Sequence, residues 1–559
     1  MSDIDKSILV KRAEDWLTHE PEREYRDTIL RWLANEDEEP LARAFSARLG
    51  FGTAGIRGQL GPGPGYMNRA LIRIVSAGLA DYLLEQVPDA AQRGVVIGHD
   101  ARRGSEEFAA DACAVFAARG LRVHVMPPLV PTPLVAYAAM KLGAACGVVV
   151  TASHNPPDYN GYKVYWENGA QIIPPHDHGI AAAIDAVEPS SIVLDAGAGL
   201  MVPERITEDY VAAIQQQVPV LRVSETPASS VAYTPLHGVG GALCERVLRS
   251  EGLTVHTVPE QAIPDGSFPT VDFPNPEEKG AMDSVVALAL SKGSPLAIAN
   301  DPDADRLALV LTEGHLPKPL TGDEIGAVMA DVLLSQAPSS VHRERRSFVG
   351  RTIVSAELLD RVAASHGADC MVTLTGFKWL WNTALDWIAE GRHYVMAYEE
   401  AIGFSVGPAV RDKDGIGAAV LAARIARSPR SFGERLEAVW SEHGVLATRQ
   451  MSIVDGEPGG IERHRQRMSA LRDSPPSTLL GETVKRVHDY NVPGDGPITN
   501  CLAYWLADGT RVMLRPSGTE PKLKSYFQVE APLAAGVHKD LEKRLDGLSA
   551  DMQRFLLDL

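Results

Sequence analysis

Asp301, Asp303 and Asp305 stand at alternate positions in "IANDPDADRLAL", directly after an apolar stretch. In an extended chain, successive carboxylates would lie about 6.5 Å apart on one side. At an effective dielectric near 20, adjacent pairs would repel by about 2.5 kcal/mol each, and the end pair by about half that. Either water relieves this charge in a solvated turn, or a cation does. Apolar flanks on both sides imply a loop emerging from a buried sheet. That favours a hard divalent cation on carboxylate oxygens, with Mg²⁺ the expected occupant. An EF-hand is excluded, because its sixth and twelfth positions are Arg306 and Thr312 instead of Gly and Glu. An aspartyl-phosphate hydrolase loop would use Asp301 and Asp303 and leave Asp305 and Arg306 idle.

A second loop, "RPSGTEPKLK", combines Arg515, Ser517, Gly518 and Thr519 with Lys522 and Lys524. A guanidinium, two hydroxyls and open backbone N–H groups suit a phosphate dianion. A plain hairpin turn would need the Pro and Gly but neither the hydroxyls nor the cations. "FGTAGIRG" carries three glycines, Thr53 and Arg57, a pattern shared by phosphate loops and structural turns. The third loop is "VVVTASHNPPDYNGYKVY", where Ser153 follows a valine run and Asn160-Gly161 reads as a turn before Lys163. A serine needs activation to be a nucleophile. On an extended chain His154 would point away from it, and there is no GxSxG elbow. A phosphorylated Ser153 would instead bring about −1.5 to −2 charge, which needs a cation such as the aspartates could hold. Alone, it is equally a turn residue.

The elements that must position these loops read as alternating strands and helices. "GVVIGHD" (94–100), "LRVHVM" (121–126) and "CGVVVTA" are strands, and 105–120 and 134–143 are helices. This alternation predicts parallel α/β layers. "SVAYTPLHGVGGALCERVLRSEG" and "PLAIANDPDADRLALV" each read as strand, loop, helix, and the alternation continues to about 440. The tail reads strand, loop, strand, helix. Residues 1 to about 48 have apolar residues at helical spacing and predict a helical extension. Boundaries near 210, 335 and 455 divide the chain into 1–210, 211–335, 336–455 and 456–559.

The net charge, 54 − 72 = −18, argues against nucleic acid as a partner. Five scattered cysteines without a CxxC predict neither disulfides nor a zinc site. The opening residues lack a signal-peptide core, and no apolar run reaches about 18 residues. A cytoplasmic protein without a membrane span is expected.

"TASHNP", "DPDADR", "EEAIG" and "RPSGTEPKLK", in that order and preceded by "GTAGIRG", resemble the active-site loops of the α-D-phosphohexomutase superfamily. The helical leader, "GFKW" and "EEAIGF" are most similar to its phosphoglucomutase-2/phosphopentomutase branch. The resemblance implies four domains around a central cleft, three related α/β layers plus a smaller C-terminal α+β domain. It implies that Ser153 is the phosphoserine and that Asp301, Asp303 and Asp305 hold Mg²⁺ together with a Ser153 phosphate oxygen. Arg57 and Lys163 would serve proton transfer and charge stabilisation, and His154 would orient the site. Arg306 would sit beside the metal. Gly376, Phe377, Lys378, Glu399 and Glu400 would meet the sugar. Arg515, Ser517, Gly518, Thr519 and Lys524 would grip the non-reacting phosphate. The implied activity interconverts sugar 1-phosphates with their terminal-phosphate isomers through a bisphosphate, glucose 1,6-bisphosphate serving as activator in the glucose case. Glucose is the first expectation. Where many hexomutases carry Ser in the sugar loop, this chain has Ala401. That keeps phosphopentomutase, phosphomannomutase and glucose 1,6-bisphosphate synthase as alternatives. A phosphatase and a non-catalytic sugar-phosphate sensor are the remaining rivals, and monomer and dimer are both open.

Overall fold

The computed structural model describes residues 6–53, 55–197, 199–314, 316–336, 346–456, 459–493, 498–517 and 521–557. Their contacts divide into two compact units, one running to Thr321 and taking in Ala401–Pro429, the other comprising Gly322–Glu400 and Arg430–Leu559.

The first unit contains two sheets. The six-stranded sheet has the order Ile56–Gln59, Tyr159–Tyr165, Cys146–Val150, Val95–His99, Val123–Val125, Leu200–Met201. Its last four strands are parallel, as the alternation predicts. Tyr159–Tyr165 and Ile56–Gln59 return antiparallel. The five-stranded sheet repeats the device. Ser230–Thr234, Thr254–Thr257 and Leu296–Ala299 are parallel, and Ala308–Leu311 runs back antiparallel to Leu296–Ala299. "RLALV" is therefore a strand and not the expected helix. All four residues of Ala308–Leu311 are buried, and the sheet supplies partners for their backbone groups. The Ser153 loop and the aspartate loop thus each leave the carboxyl end of a parallel strand and return on an antiparallel neighbour. The ends of parallel strands are where open α/β sheets place their ligands.

The helical extension is present as Lys6–Leu17, Arg23–Asn35 and Glu38–Phe45. Leu9, Trp16, Ile29, Leu41 and Phe45 join one core with Leu71, Val75 and Phe108. Each such burial stabilises the docked helices by about 1.5–3 kcal/mol. The extension is thus part of the first layer's core. Asn68 starts the long helix Arg69–Gln86, its Oδ1 accepting from Leu71 N at 2.9 Å.

In the second unit, Asp369–Thr373, Ser347–Thr352 and His393–Glu399 form a parallel layer. The helix Gly322–Gln336 packs on this layer. The expected boundaries at 210 and 335 fall within the helices Arg205–Gln216 and Gly322–Gln336. The C-terminal part is an antiparallel sheet, ordered Val445–Val454, Lys522–Ala531, Arg511–Pro516, Leu502–Leu506, Glu482–Asp489, Thr478–Leu479. The helices Gly460–Asp473 and Val537–Leu557 complete it. Three α/β layers followed by a smaller α+β portion match the expected fold class. Among the described residues no helix is long and apolar enough to cross a membrane.

Candidate active site

Ser153 ends the fully buried strand Cys146–Val150 after Thr151 and Ala152, and is itself 3% exposed. Its backbone is left-handed, φ 52°, a conformation that favours glycine. The Ser153 N–H donates to Thr151 Oγ1 at 2.8 Å. Its Oγ donates to Asp301 Oδ2 at 2.9 Å and lies 3.2 Å from His154 Nδ1. The expectation that His154 points away from Ser153 is therefore wrong. It assumed extended backbone, and the left-handed turn brings the two side chains together. Burial, then Arg306 and Arg57, hold the His154 imidazole well below its ordinary pKa, so the ring is neutral.

Asn160 and Gly161 are not a turn. They lie within the strand Tyr159–Tyr165, and Thr151 N donates to Gly161 O at 3.1 Å. A Cβ on Gly161 would come 2.6 Å from Thr151 O, so close backbone approach and not reversal requires this glycine. The strand carries Lys163 to the aspartates, where Nζ donates to Asp303 Oδ2 at 2.7 Å and to Asp305 Oδ2 at 2.9 Å.

The aspartate loop is a turn and not extended chain. Ala304 is left-handed, φ 59°, Ala304 N donates to Asp301 O, and Asn300 Nδ2 braces Arg306 O at 2.6 Å. The turn draws a carboxylate oxygen from each aspartate to within 4.8 Å of the others, all buried. That is tighter than the extended spacing, so the repulsion is larger than the sequence implied. Lys163 offsets much of it. Burial raises the Asp303 carboxyl, but Lys163 outweighs burial and holds it far below the usual range. Asp301 has Arg306 as its opposing cation. Burial, then Asp303 and Asp305, push it well up.

The residues fit a cation. Asp303 Oδ1 and Asp305 Oδ1 are buried without a hydrogen-bond partner, and a buried carboxylate oxygen is costly unless paired or ligating. Asp301 Oδ2 stands on the Ser153 side of the same cluster. Three carboxylates around one point are the donor set of a hard divalent ion.

Arg57 is exposed at the rim, its Nη1 donating to Asn155 Oδ1 at 2.8 Å. The Arg306 backbone N–H caps Asp301 Oδ1 at 3.0 Å, and its guanidinium reaches Glu277 at 3.3 Å.

In the second unit Gly376 N donates to Glu399 Oε1 at 2.6 Å. Glu400 Oε2 accepts from Thr352 Oγ1 at 3.0 Å and Ser355 Oγ at 2.9 Å. Burial, reinforced by Glu399, raises Glu400 to about 7. Lys378 lies in the first turn of the helix Phe377–Ala389, half-buried, while Phe377 is in the core. Arg515 faces Lys524 across paired strands. Directly opposed like charges are unfavourable there unless an anion joins them. Ser517 N donates to Lys522 O at 2.8 Å. Gly518 and Thr519 lie outside the described residues.

Residues 48–190, 208–314 and 321–443 match, in turn, the α/β/α domains I, II and III described as phosphoglucomutase/phosphomannomutase. A Schizosaccharomyces pombe protein named "Probable phosphoribomutase" is 35% identical over 557 residues, 93% of each chain. The chain belongs to the α-D-phosphohexomutase superfamily. A human phosphopentomutase is 32% identical over 578 residues, covering 97% of this chain and 94% of that protein. The crystal structure of a phosphoglucomutase/phosphomannomutase family protein from Burkholderia thailandensis superposes with a TM-score of 0.67 at 20% identity, over 90% of this chain and 97% of that one. Like other members of the superfamily, this protein is a phosphosugar mutase, an intramolecular phosphotransferase.

Some residues of this mutase's site escaped sequence reasoning. Lys413 Nζ lies 3.2 Å from Asp305 Oδ2 and 3.3 Å from Asp412 Oδ1. Asp412 is fully buried and accepts from Tyr165 OH at 2.5 Å and Gln171 Nε2 at 2.7 Å. Thr132 donates to Asp303 Oδ2 at 2.7 Å. The run "RDKDG" (411–415) was the available signal for Lys413, since clustered opposite charges beside a glycine are unusual inside a core.

Proposed function

We propose that this mutase interconverts pentose 1-phosphates and pentose 5-phosphates through a phosphorylated Ser153 and a pentose bisphosphate. The observation that carries the choice of sugar is the near full-length similarity to proteins named phosphoribomutase and phosphopentomutase. The glucose phosphates, expected first from the motifs, rank behind that alternative. Ala401 in the sugar loop agrees with it, because it offers no hydroxyl to a hexose.

In the first half-reaction the P–O bond to Ser153 Oγ breaks and a P–O bond to the free terminal hydroxyl of the sugar monophosphate forms. That hydroxyl gives up its proton and the departing Ser153 Oγ takes one up; in the return step Ser153 Oγ gives up its proton and the freed sugar oxygen takes one up. The bisphosphate turns over, and its other phosphoryl group returns to Ser153 Oγ. Positioning and charge carry most of such a transfer. Asp301, Asp303 and Asp305 would hold Mg²⁺, which supplies charge neutralisation to the phosphoryl oxygens when bound. Lys163 engages the Oδ2 atoms of Asp303 and Asp305, which would leave their Oδ1 atoms available to such an ion. Arg57 and Arg306 add positive charge, and His154 Nδ1 orients Ser153 Oγ. Glu399, Glu400 and the loop of Gly376 and Lys378 would bind sugar hydroxyls. Arg515, Lys524 and Ser517, with Gly518 and Thr519, would hold the second phosphate. A sugar bisphosphate would prime Ser153 as activator. Each of these four groups belongs to its own domain in this reading.

The test is a kcat/KM panel of ribose, deoxyribose, glucose and mannose 1-phosphates with the matching bisphosphates present. The pentoses should lead by at least about tenfold, roughly 1.4 kcal/mol in the transition state. A lead for glucose would overturn the pentose assignment and leave the mutase assignment standing.

A further inference from the structure

Arg102 is buried at 3% exposure. Its guanidinium is spent on backbone carbonyls. Nη2 donates to Ser153 O and Asn155 O at 2.5 Å each, and Nη1 donates to Pro156 O at 2.7 Å and Tyr159 O at 3.2 Å. Four carbonyls of one loop therefore converge on one planar cation. Ser153 O and Asn155 O lie outside regular structure, where a buried carbonyl needs such a partner, while Pro156 O also accepts from Tyr159 N at 3.1 Å.

Asp100, also buried, lies 3.4 Å from Arg102 Nε and accepts from Arg102 N at 2.9 Å and Ser105 Oγ at 2.6 Å. The Thr151 hydroxyl accepts from Ser153 N at 2.8 Å. Thr151 and Arg102 thus hold the Ser153 peptide from its N–H side and its carbonyl side, and Asp100 braces Arg102. From the metal-loop layer, the Phe268 ring covers the guanidinium at 4.9 Å. Phe268 is itself left-handed, φ 48°. A bulky residue there is a strained outlier that only a specific contact sustains. Gly266 lets the same segment approach, since a Cβ on it would come 2.6 Å from the Arg102 Cα.

We infer that Arg102, clamped between Asp100 and Phe268, is a positioning residue that locks the Ser153 loop in its left-handed conformation, so that the phosphoryl group is presented to the sugar and not to water. The inference rests on Ser153 being the phosphoryl carrier. Arg102 meets no substrate, so its loss should act on kcat and on the fate of the phosphoryl group, with little change in KM. A fixed fork is needed to serve four carbonyls. A lysine ammonium can reach only some of them.

The test compares Arg102→Met, Arg102→Lys and Phe268→Leu with wild type and Ser153→Ala. Turnover, inorganic phosphate released per turnover, and intact mass after priming with sugar bisphosphate are measured together. Arg102→Met should lower kcat by roughly 100-fold, the scale of a misplacement near 1 Å, with KM within about twofold. Phosphate released per turnover should rise, and Arg102→Lys should recover part of the loss. If Arg102→Met does not fold, Phe268→Leu decides, and it should show the same pattern at smaller size. Unchanged kcat and phosphate release in a folded Arg102→Met or Phe268→Leu would overturn the inference, as would a loss expressed in KM alone. Turnover retained by Ser153→Ala would instead overturn the carrier assignment beneath it.

Discussion

The region around Ser153 and the region around Glu400 and Arg515 solve different problems. In the first, charges are buried and largely answered within the protein. Lys163 spans two aspartates, Lys413 supports one of them, and Ser153 is bonded to the third. In the second, groups of like charge stand together, Glu399 beside Glu400 and Arg515 opposite Lys524. A preassembled cluster suits a reaction centre that must be the same for every turnover. Paired like charges suit a surface whose mutual repulsion a bound ligand would relieve. In the proposed function the first region would set the chemistry and the second the choice of sugar.

The sharpest way to break this comparison is Ser153→Ala. It should reduce mutase turnover by at least about 1,000-fold while leaving thermal unfolding and sugar-phosphate binding unchanged. Next, Asp303→Asn should cost roughly 100-fold or more and flatten the Mg²⁺ dependence measured by titration against a chelator. Unaltered Mg²⁺ dependence would remove the metal from the first region. In the second region, Arg515→Ala should raise KM for the sugar phosphate by about ten- to a hundredfold, the scale of a lost charge-assisted bond. Its kcat should change less.

The smallest effect is a pH signature. Glu400 titrates near 7 where an ordinary glutamate titrates at 4.5. Its acceptor form is lost as pH falls through 7, so kcat/KM should fall on the acid side of a break near 7, and Glu400→Gln should remove that break. Stability moves the other way. The unfolded chain releases this proton near 4.5 and the folded chain near 7, so folding stability declines as pH rises between those values. A melting series should show that decline reduced in Glu400→Gln.

What could be read from the chain divides along the same physical lines. Asp301, Asp303 and Asp305 are close in sequence, so their spacing alone announced a charge problem. Lys163 was visible as a cation, but its partners were not, because they lie 140 and 142 positions away. Arg102 acts through contacts that no local pattern carries, and for Lys413 only the run of opposite charges at 411–415 was a signal. "RLALV" looked helical because leucine and alanine favour helices, and burial against Leu296–Ala299 overrode that preference. Asn160-Gly161 looked like a turn because the dipeptide usually makes one. Here the glycine was needed for a carbonyl's close approach. His154 was misplaced because a left-handed serine could not be anticipated from its type. The helical leader was legible as helices, and packing on the first domain was its expected role; the particular residues it meets were not legible, since they begin beyond its own segment.

The account stands most directly on the path of one phosphoryl group. Pentose bisphosphate labelled in both phosphates should transfer label to the enzyme, and peptide mapping should place it on Ser153. A chase with unlabelled pentose monophosphate should return that label to sugar phosphate, with almost none appearing as inorganic phosphate. Label absent from Ser153 during full turnover, or label leaving as inorganic phosphate once per turnover, would contradict the relay.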